Sequence, residues 1–347
     1  MKREIDMSSD YGYINARIRG LRSRLLKPER YIELLNSNDF NAFISQLTQT
    51  PYISDIEEAQ SRFSGIKIVD NAVSRNFYNT SRSILGFADG KPRKLISNLL
   101  LKYDLDNIKV IARAKHAKRS PEDTIAKLLP AGELKPVLLE AVAAAPDMQA
   151  AASALSLSKS PLKLAFKRAA NQYSSDSNLL ALEVALDKAY YRILAKSVKS
   201  TAVPRNYVKF VKREIDANNL RTALSLHYGV KPEGIDIGSL FVKGGKEINK
   251  EIFNNIVNIE SQNAFQVLAN GSFAEVVEAT TLTEAEIAIR NILEKNARAL
   301  ASDSVNIGLA VNYLRQKETE SAKLRLLARG KFYGVDKKSL ETELGYA

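Results

Sequence analysis

The sequence predicts an all-α protein of three similar helical domains, each a pair of long helices followed by short ones. Apolar residues recur at helical spacing along most of the chain, and no stretch alternates with the period of two that a strand requires. The motif Asp-x-x-Asn-(Ile/Leu)-(Lys/Arg) also occurs twice, at Asp104 and at Asp216. The two copies begin roughly a hundred residues apart. A repeat of that length is too long for a solenoid and fits triplicated small domains.

The two copies of the motif continue in the same way, because each is followed by a helix end, a short amphipathic segment and a closing Gly and Glu. A weaker third copy starts at Glu320, where Lys323 replaces the Asn. The motif residues of the three copies are Asp104, Asn107 and Lys109, then Asp216, Asn219 and Arg221, and finally Glu320 and Arg325.

The N-terminal part predicts a basic amphipathic helix over Tyr11–Leu26 and two short helices, the second capped by Asp39. Pro51 interrupts the pattern, because proline disfavours helix in the residue before it. The short helices predicted here are Glu29–Leu35 and Asp39–Leu47.

Three pairs of long helices follow. Pro92 marks the start of one helix, Gly229 the end of another, and Thr283-x-x-Glu286 is interpreted as a capping box. The predicted pairs are Ile66–Leu85 with a helix from Pro92 to Lys118, Leu179–Ser200 with Tyr207–Tyr228, and Glu284–Ala301 with Val305–Arg329. The predicted short helices are Glu122–Leu129, Leu134–Ala144, Met148–Leu155, Lys246–Ile256, Ile259–Leu268, Phe273–Ala279 and Lys337–Leu344.

The length of 347 residues agrees with two or three domains. We expect residues 1–64 to be N-terminal helices that pack with the C-terminal repeat. The repeats themselves are expected at residues 65–170, 171–280 and 281–347.

Composition limits the classes of function. The chain has no cysteine, which excludes disulfides, thiolate nucleophiles and thiolate zinc sites and favours a reducing compartment. We expect neither a signal peptide nor a membrane span, because no apolar run follows the basic N-terminus and none reaches about 18 residues. The net charge of +12 predicts an anionic partner: nucleic acid, acidic lipid or an acidic protein face.

The motif Asn residues are expected on or beside the apolar stripes of their helices. A buried Asn must be hydrogen-bonded, at a cost of about 1–3 kcal/mol if it is not. We interpret the motif as a polar lock that fixes the register of each helical hairpin, and the alternative is a ligand site. Lys323 in the third copy argues against a ligand site.

No catalytic, cofactor or metal site is predicted. The histidines, His116 and His227, both lie near a helix C-terminus, where the helix dipole favours a cation, and no third ligand is within reach. The Gly244-Gly245-Lys246 stretch resembles a phosphate-binding loop only faintly, because Glu247 stands where Ser or Thr is required. Paired carboxylates, a Ser/His/Asp set and a dinucleotide motif are also missing from the sequence.

The densest basic run lies in the first helix and covers more than one of its faces. It is either a solvated helix surface or a docking surface for an acidic partner. RNA binding would require interleaved aromatic residues for stacking, which this run does not have. The candidate docking residues are Arg17, Arg19, Arg22 and Arg24.

The order and spacing of several motifs are similar to those of one family. The chain resembles the C subunit of archaeal and bacterial A/V-type rotary ATPases, which corresponds to the d subunit of eukaryotic V-ATPases. Besides the two Asp-x-x-Asn elements, the resemblance rests on Tyr11-Gly-Tyr-Ile-Asn-Ala-Arg-Ile-Arg, Leu25-Leu26, Leu47-x-x-Thr50-x-Tyr52, Leu182-Glu183-x-x-Leu186-Asp187-x-x-Tyr190-Tyr191 and Tyr313-Leu-Arg-x-Lys317-Glu318-x-Glu320-x-x-x-Leu324-Arg325.

The resemblance implies a funnel of three helical domains around a pseudo-threefold axis, without enzymatic activity or cofactor. A protein of this kind couples the central stalk of the soluble ATPase head to the membrane ring of proteolipid subunits, during ATP synthesis or ATP-driven ion transport. The resemblance also implies a peripheral position on the cytoplasmic face of the membrane and no nucleic-acid partner. The high positive charge departs from the family pattern, as does Lys323.

Two alternatives follow from the residues themselves. The net positive charge is also compatible with a basic helical nucleic-acid-binding protein, whose affinity would fall steeply with salt. A hydrolase or transferase with a new type of helical site is disfavoured, because the sequence contains no catalytic constellation.

Overall fold

A computed structural model describes residues 7–199, 203–229, 231, 236–258, 262–302 and 306–344 of the chain. These residues form sixteen α-helices and three short 3₁₀ segments, and the described part contains no strand. The all-α prediction is therefore confirmed. No helix in the described ranges is both long and apolar enough to span a membrane.

The helices run in the predicted order. They are α1 (Met7–Arg22), α2 (Pro28–Leu35), α3 (Phe40–Leu47), α4 (Ile53–Gln60), α5 (Ile66–Phe87), α6 (Gly90–His116), α7 (Pro121–Ile125), α8 (Pro136–Ala144), α9 (Met148–Ser156), α10 (Lys163–Asp176), α11 (Leu179–Ser197), α12 (Arg205–Tyr228), α13 (Lys250–Asn258), α14 (Leu282–Leu300), α15 (Gly308–Tyr333) and α16 (Lys337–Leu344). The 3₁₀ segments are Ile237–Leu240, Gln262–Leu268 and Ala274–Val276.

Two helices were not predicted from the sequence, α4 and α10. Both follow a proline that closes a turn, and in both turns a hydroxyl oxygen accepts a hydrogen bond from the backbone N–H two residues later. Thr50 Oγ1 accepts from Tyr52 N at 3.2 Å, and Ser160 Oγ accepts from Leu162 N at 3.2 Å. The break expected at Pro51 is therefore present, but a helix starts two residues after it.

Several predicted bounds differ from the structure. The helix expected at Lys246–Ile256 begins only at Lys250, and Phe273–Ala279 contains a 3₁₀ segment of three residues in place of an α-helix. The described part of Ile259–Leu268 is also a 3₁₀ segment. Ser200, Ile259 and Val305 lie outside the described residues.

The capping box of α14 was predicted two residues too late. Thr281, not Thr283, is the N-cap: its side chain accepts from Glu284 N at 3.2 Å, and the Glu284 carboxylate accepts from Thr281 N at 3.2 Å. Two overlapping Thr-x-x-Glu patterns occur here, and Glu286 of the second pairs with Arg221 at 2.8 Å. The Asp39 cap of α3 is confirmed, since its carboxylate accepts from Ala42 N at 2.8 Å.

Gly229 ends α12 as predicted, although not through a left-handed conformation. Its φ of −108° and ψ of −170° are extended. A Cβ atom at this position would lie 2.6 Å from the carbonyl oxygen of Ser225. The glycine is thus required by a close approach of the backbone to the last helical turn.

The chain divides into two compact units. The first contains residues 1–145 and 309–347, and the second contains residues 146–308. In the first unit the short N-terminal helices share a core with α5 and the C-terminal helices. That core includes Tyr31, Leu34, Phe43, Leu47, Tyr52, Ile56, Val69, Val73, Leu324, Leu327, Leu340 and Leu344.

The second unit has its own core, formed where α12, α13 and α14 pack together with the 3₁₀ segments. Its buried residues include Leu220, Leu224, Phe253, Ile256, Phe265, Phe273, Ile289 and Leu293. Each of the two cores surrounds a long helix that carries a motif carboxylate: α15 in the first unit and α12 in the second.

Candidate functional site

Three motif carboxylates are buried, each on a long helix. Asp104 lies on α6, Asp216 on α12 and Glu320 on α15. A buried carboxylate must be compensated by hydrogen bonds or by a cation. The hydrogen-bond donors and cations around each of the three carboxylates therefore determine the chemistry that each site can support.

The first polar cluster joins α6 to the loop that precedes α8. The Asp104 carboxylate accepts hydrogen bonds from Glu133 N at 2.9 Å and from Leu134 N at 3.1 Å. One turn later, the Asn107 side chain donates to the carbonyl of Leu129 at 2.7 Å and accepts from Leu129 N at 2.8 Å. Both motif side chains are thus bound to the backbone of one loop.

The second polar cluster repeats this arrangement between α12 and the loop before α13. The Asp216 carboxylate accepts from Lys246 N at 2.8 Å, from Glu247 N at 3.0 Å and from Ile248 N at 3.0 Å. The Asn219 side chain donates to the carbonyl of Val242 at 2.8 Å and accepts from Val242 N at 2.9 Å. The loop with the faint likeness to a phosphate-binding loop therefore lies against a carboxylate of the protein itself.

Each loop needs a glycine because the carboxylate lies directly against the backbone. A Cβ atom on Gly132 would lie 2.0 Å from Asp104 Oδ1, and one on Gly245 would lie 1.9 Å from Asp216 Oδ1. No side-chain carbon fits at such distances. The Gly near the end of each motif copy is explained by this contact.

The third polar cluster uses different partners. Glu320 on α15 accepts from Leu26 N at 2.6 Å, from the Tyr52 hydroxyl at 2.8 Å and from Lys317 Nζ at 2.6 Å. Lys317 Nζ also donates to the Tyr52 hydroxyl at 2.8 Å and lies 4.5 Å from the centre of the Tyr52 ring. A buried cation and a buried phenol here replace most of the backbone donors of the other two clusters.

All three carboxylates share one contact. Each accepts a hydrogen bond from the residue two positions before the first residue of a short helix. That residue is Leu134 before α8, Ile248 before α13 and Leu26 before α2. In the third cluster the short helix comes from the N-terminal end of the chain.

Arg221 and Arg325, the basic motif residues five positions after Asp216 and Glu320, form ion pairs. Arg221 Nε lies 2.8 Å from Glu286, and Arg325 Nε lies 3.6 Å from Asp70. Lys109, the corresponding residue on α6, is half-buried. Lys323 stands at the position of the motif Asn, and its ammonium lies 5.4 Å from the centre of the Tyr31 ring.

Burial shifts the pKa values of these groups. It raises the pKa of Asp104 to about 7, against the opposing effect of two backbone N–H donors and the nearby Arg82. Burial likewise raises the pKa of Asp216, although three N–H donors oppose the shift. The pKa of Tyr52 lies well above its ordinary value, because the phenol is buried and donates to Glu320.

The predicted docking residues lie on the surface of the first unit. Arg17, Arg19, Arg22 and Arg24 are exposed, and the Arg17 guanidinium stacks 4.5 Å from the centre of the Phe87 ring. The two histidines lie at the C-terminal ends of α6 and α12, as expected. Among the described residues, no group of three His, Cys, Asp or Glu is placed to hold a metal ion.

The second unit contains one further polar cluster that was not predicted from the sequence. The Arg213 guanidinium donates to Asn296 and, at 2.5 Å, to Ser272 Oγ. Ser272 in turn donates from its backbone N–H to Glu247 at 2.7 Å. Glu247 lies two residues after the glycine that contacts Asp216, so this cluster supports the second loop from its other side.

These features define an all-α protein whose buried motif carboxylates bind groups of the protein itself. Comparison with known proteins gives the particular family. The chain belongs to the ATP synthase (C/AC39) subunit family, whose model matches residues 14–343.

Curated relatives agree with this family over nearly the whole chain. The C subunit of the V-type ATP synthase of Deinococcus radiodurans is 33% identical over 339 residues, which cover 97% of this chain and 92% of the relative. The corresponding protein of Thermus thermophilus is 28% identical over 340 residues, which cover 97% of this chain and 99% of the relative. The C subunit of the A-type ATP synthase of Methanococcoides burtonii is 26% identical, with 97% of this chain and 94% of the relative covered.

The family resemblance inferred from the motifs is thereby confirmed. The chain is a subunit of a membrane-associated V/A-type ATPase, and within that complex the C subunit is structural, not catalytic.

Proposed function

We propose that the protein is the non-catalytic adaptor of the rotor, which couples the central stalk of the soluble head to the proteolipid ring. In this role it transmits rotation during ATP synthesis or ATP-driven ion transport, on the cytoplasmic face of the membrane. The observation that carries the proposal is the near end-to-end match to relatives named as the C subunits of V-type and A-type ATP synthases.

The three-domain funnel remains part of this proposal. Its support is the shared contact of the three carboxylates with the residue two positions before a short helix. Each proposed domain is a pair of long helices completed by short helices, with boundaries near residues 65–170, 171–280 and 281–347. The short helices of residues 1–64 would complete the third domain.

The polar clusters are proposed to act as the locks that fix the register of each long helix against its loop. A part that transmits torque must resist twisting. A hydrogen-bonded carboxylate adds directional constraints that apolar packing alone does not supply. In the first two clusters the Asp and Asn lie three residues apart, so each of these two locks holds one turn of helix at two points.

The exposed Arg17, Arg19 and Arg22 of α1, together with Arg24 just after it, are proposed as a docking surface for an acidic face of a partner subunit. Exposed charges of this kind change the association rate and its salt dependence more than the stability of the protein. Charge reversal on α1 should therefore weaken assembly and leave the fold intact.

The test is a salt-resistant pull-down from detergent-solubilised membranes of the source cell, with mass spectrometry of the bound proteins. We expect central-stalk subunits and the proteolipid, with recovery unaffected by nuclease. The variant Arg19→Glu/Arg22→Glu should lose recovery, whereas Lys167→Glu/Arg168→Glu, exposed on α10 and equal in charge change, should not. Nuclease-sensitive nucleic acid without ATPase subunits would refute the proposal and favour the nucleic-acid-binding alternative.

A further inference from the structure

The C-terminal end of α15 carries large apolar side chains in solvent. Phe332 is 43% exposed, Tyr333 68% and Val335 45%, all within four residues of chain. Phe63, in the turn between α4 and α5, is 38% exposed. We call these four residues the aromatic tip. Single exposed apolar residues are normal on a protein surface, but a group of them indicates a contact surface.

Packing brings the two parts of the tip together. The Phe332 ring lies 5.1 Å from the Phe40 ring in an edge-to-face arrangement. Gly65 is so close that a Cβ on it would lie 3.0 Å from Phe332 Cε2, which places the turn carrying Phe63 beside the end of α15. Lys331 Nζ also donates to the carbonyl of Ser37 at 2.8 Å. The tip is thus held in position by the first unit.

Positive charge surrounds these apolar groups. Residues 329–339 contain four basic residues and one acid, Asp336, whose carboxylate accepts from the Ser339 backbone N–H at 2.9 Å. Arg329 lies 3.0 Å from Asp70, and Lys337 lies 3.6 Å from Glu341. Lys338 is exposed next to the tip, and Lys67 is exposed just after the turn that carries Phe63. The tip therefore combines aromatic rings with the exposed ammonium groups of Lys67 and Lys338.

This combination suits a lipid surface better than a protein. Lysine is depleted in protein interfaces, and a stable interface requires about 800 Å² on each partner. At a bilayer surface, Tyr and Phe enter the headgroup layer while lysines contact the anionic lipid phosphates. We propose that the aromatic tip is a docking site for an anionic phospholipid surface, with Phe63, Tyr333 and Val335 in the headgroup layer.

The proposal does not depend on the coupling role, because it concerns the isolated chain. It can be tested with one fluorophore, since the chain contains no tryptophan. Tyr333→Trp places a probe in the tip. Tyr13→Trp places a matched probe at a residue 61% exposed on α1, among the exposed arginines. The purified variants are titrated with vesicles of phosphatidylglycerol and phosphatidylcholine that carry brominated acyl chains.

We expect the probe at position 333 to shift to the blue and to be quenched severalfold, while the probe at position 13 stays near its value in buffer. Equal quenching of both probes would indicate general electrostatic adsorption and overturn the proposal. No quenching at position 333 would overturn it as well. A blue shift at position 333 on addition of purified partner subunits, in buffer without lipid or detergent, would show that a protein covers the tip, with the same consequence.

Two further variants separate the apolar and charged contributions. Tyr333→Ser/Val335→Ser changes only exposed side chains and should reduce partitioning into anionic vesicles severalfold. Lys67→Gln/Lys338→Gln should reduce it about fivefold per lysine, the weight of one basic residue near an anionic membrane, and should weaken the salt dependence. Lys167→Gln/Arg168→Gln is the charge-matched control on α10 and should leave partitioning unchanged. If Lys67→Gln/Lys338→Gln and Lys167→Gln/Arg168→Gln reduce partitioning into the vesicles equally, binding is not localised at the aromatic tip and the proposal is refuted.

Discussion

Replacement of Gly245 by alanine tests the second polar cluster directly. The new Cβ would lie 1.9 Å from Asp216 Oδ1, so either the carboxylate or the loop must move. Three backbone N–H groups, those of Lys246, Glu247 and Ile248, donate to that carboxylate. A hydrogen bond to a charged group contributes about 1.5–3 kcal/mol.

The loss of one or two of these bonds lowers the free energy of unfolding by about 3 kcal/mol. The reduced freedom of alanine in the unfolded chain offsets less than about 1 kcal/mol of it. Gly20→Ala is the matched control, because nothing lies within 4 Å of a Cβ at this exposed position of α1. The control should be neutral or more stable by about 1 kcal/mol, since alanine favours helix.

The measurement is urea unfolding followed by circular dichroism, together with hydrogen exchange of the amides of residues 246–248. The Gly245→Ala variant should exchange faster at these amides, whereas Gly20→Ala should not. A double-mutant cycle with Asp216→Ala completes the test. In the Asp216→Ala background no carboxylate lies against the Cβ at position 245, so Gly245→Ala should lower the free energy of unfolding far less than in the wild type. Additive effects in the cycle, or unchanged exchange in Gly245→Ala, would refute the proposed contact.

Three further predictions concern the other polar groups. The double variant Asn107→Leu/Asn219→Leu leaves backbone groups in both loops without a hydrogen-bond partner. It should lose about 1–3 kcal/mol of unfolding free energy per site. A variant with full stability and full coupling in the reassembled complex would contradict the polar-lock hypothesis. Thr281→Ala removes the observed N-cap and should cost about 1 kcal/mol in thermal unfolding, whereas Thr283→Ala should stay within about 0.5 kcal/mol. For Asp104, the pKa of about 7 in the fold exceeds the ordinary value of 3.8, so its contribution to stability falls as pH rises from 4 to 7. The unfolding free energy of the wild type relative to Asp104→Asn should therefore fall by up to about 3 kcal/mol between pH 5 and pH 8, and a flat profile over this range would show that the carboxylate is ionised throughout.

The sequence predicted the helical class, the long helices and most helix positions, because apolar spacing and terminal residues act locally. The Asp39 cap is an example, as its acceptor and donor lie three residues apart. The error at α14 is also local: Thr281 and Thr283 begin overlapping Thr-x-x-Glu patterns, and only packing decides which one caps the helix. Glu286 does not take part in the cap because it pairs with Arg221.

The partners of the motif residues could not be predicted in the same way. The loop amides that bind Asp104 lie about thirty residues further along the chain, and nothing in their identity marks them, since any residue other than proline has a backbone N–H. The glycines Gly132 and Gly245 were the signal that could have located these loops. For Glu320 the partners Leu26 and Tyr52 lie at the other end of the chain, 294 and 268 residues away.

The distance in sequence between the partners of the third cluster has a consequence for protein synthesis. Tyr52 and Leu26 leave the ribosome 268 and 294 residues before Glu320. The Tyr52 hydroxyl and the Leu26 amide therefore have no Glu320 carboxylate to donate to until α15 is synthesised. A chain truncated before Lys317 leaves this phenol without either partner, so completion of the third cluster reports that translation has reached the C-terminal helices.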